Sequence, residues 1–467
     1  MQNNDKRLLY NLIIIGIGTI FTRLIYLVMT PFYSSWLTTS EYGKYDLIAT
    51  YISLCVPFVT LQLDQAIYRF SIEHKQYSNY YYRMIIKAII PLMAFMSMVV
   101  YMVMIHFDMT TNLILYFIGY FIAMAFYNVN AEYLRGNGKL REYSTLNITT
   151  GVLSVLLSIT AVRILHLGVA GLLLAFACSY GITWLIAQIA FKPFTVIQTD
   201  ETSIKELLKY SIPLIPNNIS WWITNVSDRT IINIIQGNYY NGIYAICCKI
   251  PTMLSIIFGI FNLSFQQVAL QDVQPEEQKS YFNKLIKRVI KILFTGSVCI
   301  VGLTPLMYHL FLKEEYWEGI ICVPILLCGA VFLSIAQYMG DILLVKKNTK
   351  AIGGSTICAA LVNIVLNLLM IPKWGIMGAS LATMISYVVM FLLRSRATRE
   401  LFIGKELISC IIEYLGLYTV LSVLILMVMD SILWSILMLL LTFFLFILAN
   451  REIVMTFLKK IIKKKTI

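Results

Sequence analysis

Apolar runs near the ~20 residues that a helix needs to cross a bilayer recur along the whole chain. Fourteen can be marked, from 8–33 and 44–68 through 207–235 to 407–429 and 431–450. Each is long enough for a hydrocarbon core roughly 30 Å thick. Only 13% of the 467 residues are charged and 59% are hydrophobic, whereas a soluble globular chain carries roughly 25% charged residues. The expected fold class is an all-α polytopic membrane protein with about fourteen transmembrane helices.

The net charge of +13 invites a nucleic-acid reading, but its distribution argues against one. If Lys6 and Arg7 are cytoplasmic, only Lys44, Arg163, Lys313 and Lys373 face outward, and Arg23, Arg229 and Lys249 fall inside spans. The other 30 of the 37 Lys and Arg residues are then cytoplasmic, as the positive-inside rule requires. The basic balance reports topology, and no nucleic-acid partner is expected. The C-terminal "LKKIIKKKTI" fits a cytoplasmic anchor beside anionic lipid. The nine cysteines lie in or beside apolar runs without a CxxC pair, so free thiols are expected, with no disulfide and no metal. The first run is too long for the core of a signal peptide and lacks an obvious cleavage site.

The chain repeats itself. An offset of 199 residues places "EYGKYDL" at 41–47 on "YNGIYAI" at 240–246, matching Gly43 with Gly242 and Tyr45 with Tyr244. An offset of 207 places "GVAGLLLAFACSY" at 168–180 on "GIMGASLATMISY" at 375–387. Spans 1–6 therefore repeat as spans 7–12, and an even number per half sets both in the same orientation. The expected organisation is an N-lobe over 1–196, a C-lobe over 197–400 and an added hairpin with a basic tail over 401–467. The two lobes should be related by a pseudo-two-fold axis along the membrane normal, with a substrate site between them. The Gly-x-x-Gly pairs at 168–171 and 375–378 have a plainer use as well, the close approach of two helices.

Several spans carry polar faces. Thr19, Thr22, Arg23, Tyr26, Thr30 and Tyr33 share one face of span 1, and Asn218, Trp221, Asn225, Asp228 or Arg229 share one of span 7. Span 8 adds Lys249, and span 2 adds Asp64. Ionised groups at the bilayer centre cost at least ~2.5 kcal/mol and tend to mark pathways. Asp228 and Arg229 are adjacent, so they point about 100° apart and make poor partners for each other. Each can pair across a helix boundary or line a cavity, and both uses stay open. Asp64, Asp228 and Asp341 are the carboxylates that could carry a coupling proton or Na⁺, although capping a helix or neutralising an arginine would also occupy them.

Three stretches resemble one family. "RLIYLVMTPFYSSWLTTSEYGKYDL" (23–47), "DRTIINIIQGNYYNGIYAICCKI" (228–250) and "NIVLNLLMIPKWGIMGASLATMISY" (363–387) look like the opening hairpin, the start of the second half and the span 11–12 corner of polysaccharide flippases. The chain is thus similar to Wzx-type O-antigen repeat-unit flippases, polysaccharide transporters of the superfamily that also holds MATE antiporters and lipid II flippases. The resemblance implies a multi-pass protein of the bacterial inner membrane, both termini cytoplasmic, that moves a polyprenyl-pyrophosphate-linked oligosaccharide outward. It implies no cofactor beyond coupling to H⁺, Na⁺ or the membrane potential, and contact with membrane lipid and other polysaccharide assembly proteins. Arg23, Arg229 and Lys249 would then meet the pyrophosphate, and Tyr26, Asn225 and Asp228 would belong to the same substrate-binding set.

Two other function classes fit the residues less well. A membrane glycosyltransferase or polymerase needs catalytic acids or bases near a membrane surface, usually framed by a large external loop. No external loop here exceeds about ten residues, and none holds a DxD pair. A MATE-like drug antiporter should offer acidic interior faces to a cation, whereas spans 1, 7 and 8 carry three cations against Asp228. The charge split generates a test of orientation: reporter fusions after Trp36, Gly237 and Ile467 should read outside, outside and inside. An external C-terminus would overturn the fourteen-span arrangement.

Overall fold

A computed structural model describes residues 18, 21–106, 109–195, 198–269, 275–345, 348–400, 404–451 and 455, with the backbone alone at 217, 225, 260–269, 275–281, 345 and 404–405. The basic C-terminal stretch, Lys6, Arg7, Thr19 and the side chain of Asn225 lie outside the described residues. Among the described residues there is no strand. Helix α1 covers 21–36, followed by α2 (Thr39–Thr60), α3 (Leu63–Glu73), α4 (Ser78–His106), α5 (Thr111–Gly136), α6 (Leu140–Ser158) and α7 (Gly168–Phe191). The short α8 (Ile204–Ser211) precedes α9 (Ile215–Ala269), α10 (Pro275–Phe311), α11 (Cys322–Val345), α12 (Thr349–Ala397), α13 (Gly404–Met427) and α14 (Ile432–Ala449).

Ten of these helices are long and apolar enough to cross a membrane, or eleven when the bent pair α2–α3 counts as one span. Two are doubled, because α9 is interrupted at Gly237 and α12 at Gly375, both with positive φ. With these divisions, thirteen of the fourteen expected runs fall on helices, and the described part of the first, 21–33, falls on α1. The chain forms two compact units, Met1–Trp222 and Ile223–Ile467.

The first unit contains a break within one of the apolar runs. The run at 44–68 was expected as one span, but Leu61 and Gln62 adopt φ of 47° and 58°, and α2 and α3 meet at a bend of 53°. Backbone groups freed by such a break must find partners inside the protein. Gln62 N–H donates to Thr60 Oγ1 at 3.3 Å, Thr60 Oγ1 donates to Asp64 Oδ1 at 3.0 Å, and Asn218 Nδ2 donates to Gln62 Oε1 at 2.6 Å. Asp64 is thereby held at the start of α3, 8% exposed. Elsewhere the unit is filled by rings: Phe176 stacks on Tyr45 and Tyr120, with centroids 6.0 and 5.6 Å apart, and Tyr180 stacks on Tyr120 at 5.7 Å.

In the second unit α11 packs along α12, and α10 carries both α13 and α14. The expected hairpin thus rests on α10. Arg394, only 3% exposed, donates to the Ala336 carbonyl at 2.9 Å, Ser355 Oγ at 3.0 Å and Thr356 Oγ1 at 3.1 Å. One guanidinium therefore joins α11 to both halves of α12, near Asp341.

The repeat is visible in backbone geometry. Gly168 and Gly375, paired in sequence, share a φ of 56°, a conformation that glycine adopts without strain. Three residues on, a Cβ at Gly171 would stand 3.0 Å from the Ala161 carbonyl oxygen, and one at Gly378 would collide with the Met370 carbonyl. The plainer use of these glycines, close approach at a helix corner, is thus what the structure displays in both halves. Gly171→Ile and Gly378→Ile should each cost about 1–3 kcal/mol or more through overpacking. Their yield of monodisperse protein in size-exclusion chromatography should fall sharply. Gly353→Ala, where no neighbour lies within 4 Å among the described residues, should leave it unchanged.

Candidate functional site

The second unit holds a connected polar network inside helices that are otherwise apolar. Asp228 on the first half of α9 is 2% exposed. Its carboxylate accepts from Tyr244 Oη, from the Arg229 backbone N–H at 2.8 Å and from Thr383 Oγ1 at 3.4 Å. Thr383 accepts in turn from Asn363 Nδ2 at 3.4 Å. Asn363 Oδ1 receives Ser227 Oγ and Asn367 Nδ2, each at 3.0 Å. Four segments contribute: the two halves of α9 with Ser227, Asp228 and Tyr244, and the two halves of α12 with the asparagines and Thr383.

Local sequence explains the convergence. Ser227 and Asp228 are adjacent on α9, and Asn363 and Asn367 are four residues apart, on one face of their helix. The Gly375 turn folds the second half of α12 back, which brings Thr383 beside Asn363. Buried polar groups are costly without partners, and here each donor finds an oxygen. The arrangement concentrates one carboxylate and several neutral oxygens in a site of low exposure. It can hold a proton or a small cation, or simply bind the helices together.

The first unit places different chemistry at the repeat-related positions. At the offset of 199, Tyr244 corresponds to Tyr45 and Asp228 to Met29; at 207, Thr383 corresponds to Phe176. Tyr45 stacks on Phe176, where Tyr244 and Thr383 bond to a carboxylate. One scaffold thus carries an aromatic plug in one half and a charge-bearing network in the other.

The remaining sequence-predicted residues are distributed as follows. Arg23 is exposed on α1 and lies within electrostatic reach of Tyr143. Tyr26 is half-buried against Phe176, with centroids 5.7 Å apart. Other members of that α1 face bond inside the unit: Thr22 Oγ1 donates to the Asn147 carbonyl at 3.2 Å, and Tyr33 Oη to Ser158 Oγ at 3.2 Å. Arg229 and Lys249 are half-buried on α9, and Arg229 lies within electrostatic reach of Tyr387. Asp64 belongs to the α2–α3 break in the first unit, and Asp341 lies by Arg394. Ser227, Asn363, Asn367 and Thr383 were not among the sequence candidates. The signal available for them was a pair of amides four residues apart in an apolar run.

Comparison with known proteins places this architecture. A family model described as polysaccharide biosynthesis protein matches residues 8–270. The capsular polysaccharide biosynthesis protein CapF of Staphylococcus aureus is 23% identical over 368 residues, covering 75% of this chain and 89% of that protein. An uncharacterised membrane protein of Methanocaldococcus jannaschii is 27% identical over 259 residues, covering 53% of this chain and 58% of its own length. Among solved structures, the lipid II flippase MurJ in an inward closed conformation superposes with a TM-score of 0.71 at 16% identity, over 95% of this chain and all of that one. An inward-facing MATE-family multidrug transporter gives 0.61 at 14% identity, over 83% of this chain and 95% of its own. These likenesses establish a MATE-like polytopic fold. The matched family segment takes in more than half of the sequence, and the chain belongs to the polysaccharide biosynthesis protein family.

Proposed function

We propose that this protein is a flippase. It moves polyprenyl-pyrophosphate-linked oligosaccharide repeat units from the cytoplasmic to the outer leaflet of a bacterial inner membrane, for O-antigen, capsule or exopolysaccharide assembly. The observation that carries the reading is the presence of Arg23, Arg229 and Lys249 within apolar helices of a member of a polysaccharide biosynthesis family. A diphosphate bears the complementary charge, and arginine meets its oxygens with a planar fork of donors. Sugars are uncharged and need amides, hydroxyls and aromatic faces, which Tyr26, Asn225 and the neighbouring Trp221 and Asn218 supply. The polyprenyl tail stays in lipid. The activity is transport by alternating access, with no bond made or broken in the substrate.

Asp228 is the coupling group in this reading. A proton or Na⁺ arriving at its carboxylate removes a buried charge and changes what Tyr244, Thr383 and Asn363 bond to. A ligand that binds one conformation better than another shifts the balance toward it. The network joins both halves of α9 to both halves of α12, so such a shift would move these segments together. Asp64 and Asp341 are assigned to helix geometry, at the α2–α3 break and beside Arg394.

A MATE-like drug antiporter is the second reading, favoured by the one buried acid in this network and by the shared fold. Binding titrations separate the two. A purified flippase should bind a polyprenyl pyrophosphate with an affinity that weakens as salt screens the charges, and it should bind a cationic dye poorly. Changing Arg23, Arg229 and Lys249 together to Gln should reverse that preference. Tight dye binding by the native protein without lipid binding would establish the antiporter. Within the flippase, Arg23→Ala should abolish transport at normal protein level, while Arg23→Lys should restore only part of it. Asp228→Asn should leave lipid binding within about twofold and remove the dependence of transport in proteoliposomes on an imposed H⁺ or Na⁺ gradient. Gradient-driven transport by Asp228→Asn would exclude Asp228 as the coupling group.

A further inference from the structure

A second, separate site lies at the membrane-entry ends of α10 and α13. A cleft of about 550 Å³ is lined there by Lys287, Arg288 and Lys291 of α10 and by Glu406, Ser409, Cys410, Glu413 and Tyr414 of α13. The uncharged apolar stretches of these helices follow Lys291 and Glu413, so the cleft lies at their polar edge, the depth of lipid headgroups. We propose that it binds the anionic phosphodiester headgroup of a membrane phospholipid.

The charge pattern supports an anion. Lys287 pairs with Glu406, which fixes one wall by joining the two helices. Among the described residues no ion pair engages Arg288 or Lys291. Glu413 offsets part of the remaining positive charge, leaving an excess of one cation over the cleft as a whole. A phosphodiester carries one negative charge, and its oxygens suit a guanidinium and an ammonium. Ser409 and Tyr414 add hydroxyls able to bond a glycerol moiety, and Glu413 accepts from the same kind of group. The volume far exceeds the ~30 Å³ share of one water in the liquid, so there is room for more than a bare phosphate.

Neighbouring surface selects a lipid over a soluble anion. Ile408 and Ile412, 58% and 64% exposed, stand on α13 beside the cleft. Exposed isoleucines on a membrane-crossing helix meet acyl chains, so a ligand with a charged head and apolar tails matches both surfaces. Basic pockets at the cytoplasmic ends of membrane helices take phospholipid heads in this manner. A bound head would also buttress the Lys287–Glu406 contact that ties α13 to α10.

Cys410 is a half-buried thiol within the cleft and serves as a reporter. Purified full-length protein would be treated with a maleimide in detergent, and alkylation at Cys410 quantified by peptide mass spectrometry. Phosphatidylglycerol should slow the labelling severalfold, phosphatidylcholine of the same chain length much less, and glycerol 3-phosphate at equal concentration not at all. In the double variant Arg288→Gln, Lys291→Gln, confirmed to elute like the native protein, the phosphatidylglycerol effect should largely vanish. Native mass spectrometry should show about tenfold weaker retention of that lipid by the variant. Equal protection by both phospholipids, undiminished protection in the variant, or protection by glycerol 3-phosphate would overturn the proposal, the last by showing a site for soluble anions.

Discussion

Hydrocarbon offers no hydrogen bonds, so every polar group carried into the membrane-crossing helices must be met by the protein itself. That constraint accounts for the main irregular features of this structure. The α2–α3 break is sustained by Thr60, Gln62, Asp64 and Asn218, which answer one another across the bend. Arg394 is buried because a carbonyl and two hydroxyls converge on it. Asp228 is buried because Tyr244, Thr383 and a backbone N–H reach it. In each case the residues that satisfy a polar group also hold separate helical segments together.

The internal repeat shows how one scaffold can carry unequal chemistry. Gly168 and Gly375 impose the same turn, and Gly171 and Gly378 permit the same close approach. Within that shared frame, Phe176, Tyr45 and Tyr120 fill the first unit with stacked rings, while Thr383 and Tyr244 serve a carboxylate in the second. Stacked aromatics have no state to change. A carboxylate does, and the one at the repeat-related position belongs to the second half, while the buried Asp64 of the first half sits apart at the α2–α3 break.

The spans and the glycine corners of the repeat were legible in the sequence because they depend on run length and periodicity, which are properties of neighbouring residues. The break at Leu61–Gln62 was not, since neither residue is a glycine or proline, and Pro57 nearby is accommodated within α2. Long-range partners, Asn218 above all, decide that conformation. Arg394 read as an ordinary cytoplasmic cation because it lies near the end of its span, and only the packing of α11 against α12 encloses it. Asn363 and Asn367 were missed as site residues because neutral amides barely alter the hydropathy of an apolar run. Their significance depends on Ser227, more than a hundred residues away.

Exposure gives the charged residues different physical capacities. Arg23 is exposed and Arg229 and Lys249 are half-buried. A charged side chain that is not fully enclosed keeps its charge at lower cost than a buried one. Asp228 is enclosed, with its oxygens already held by neighbouring donors. No bulky ligand can approach such a group without dismantling the network, but a proton or a small ion can enter with little displacement. The same desolvation cost that would penalise a buried substrate cation makes an enclosed carboxylate responsive to the arrival of one small charge.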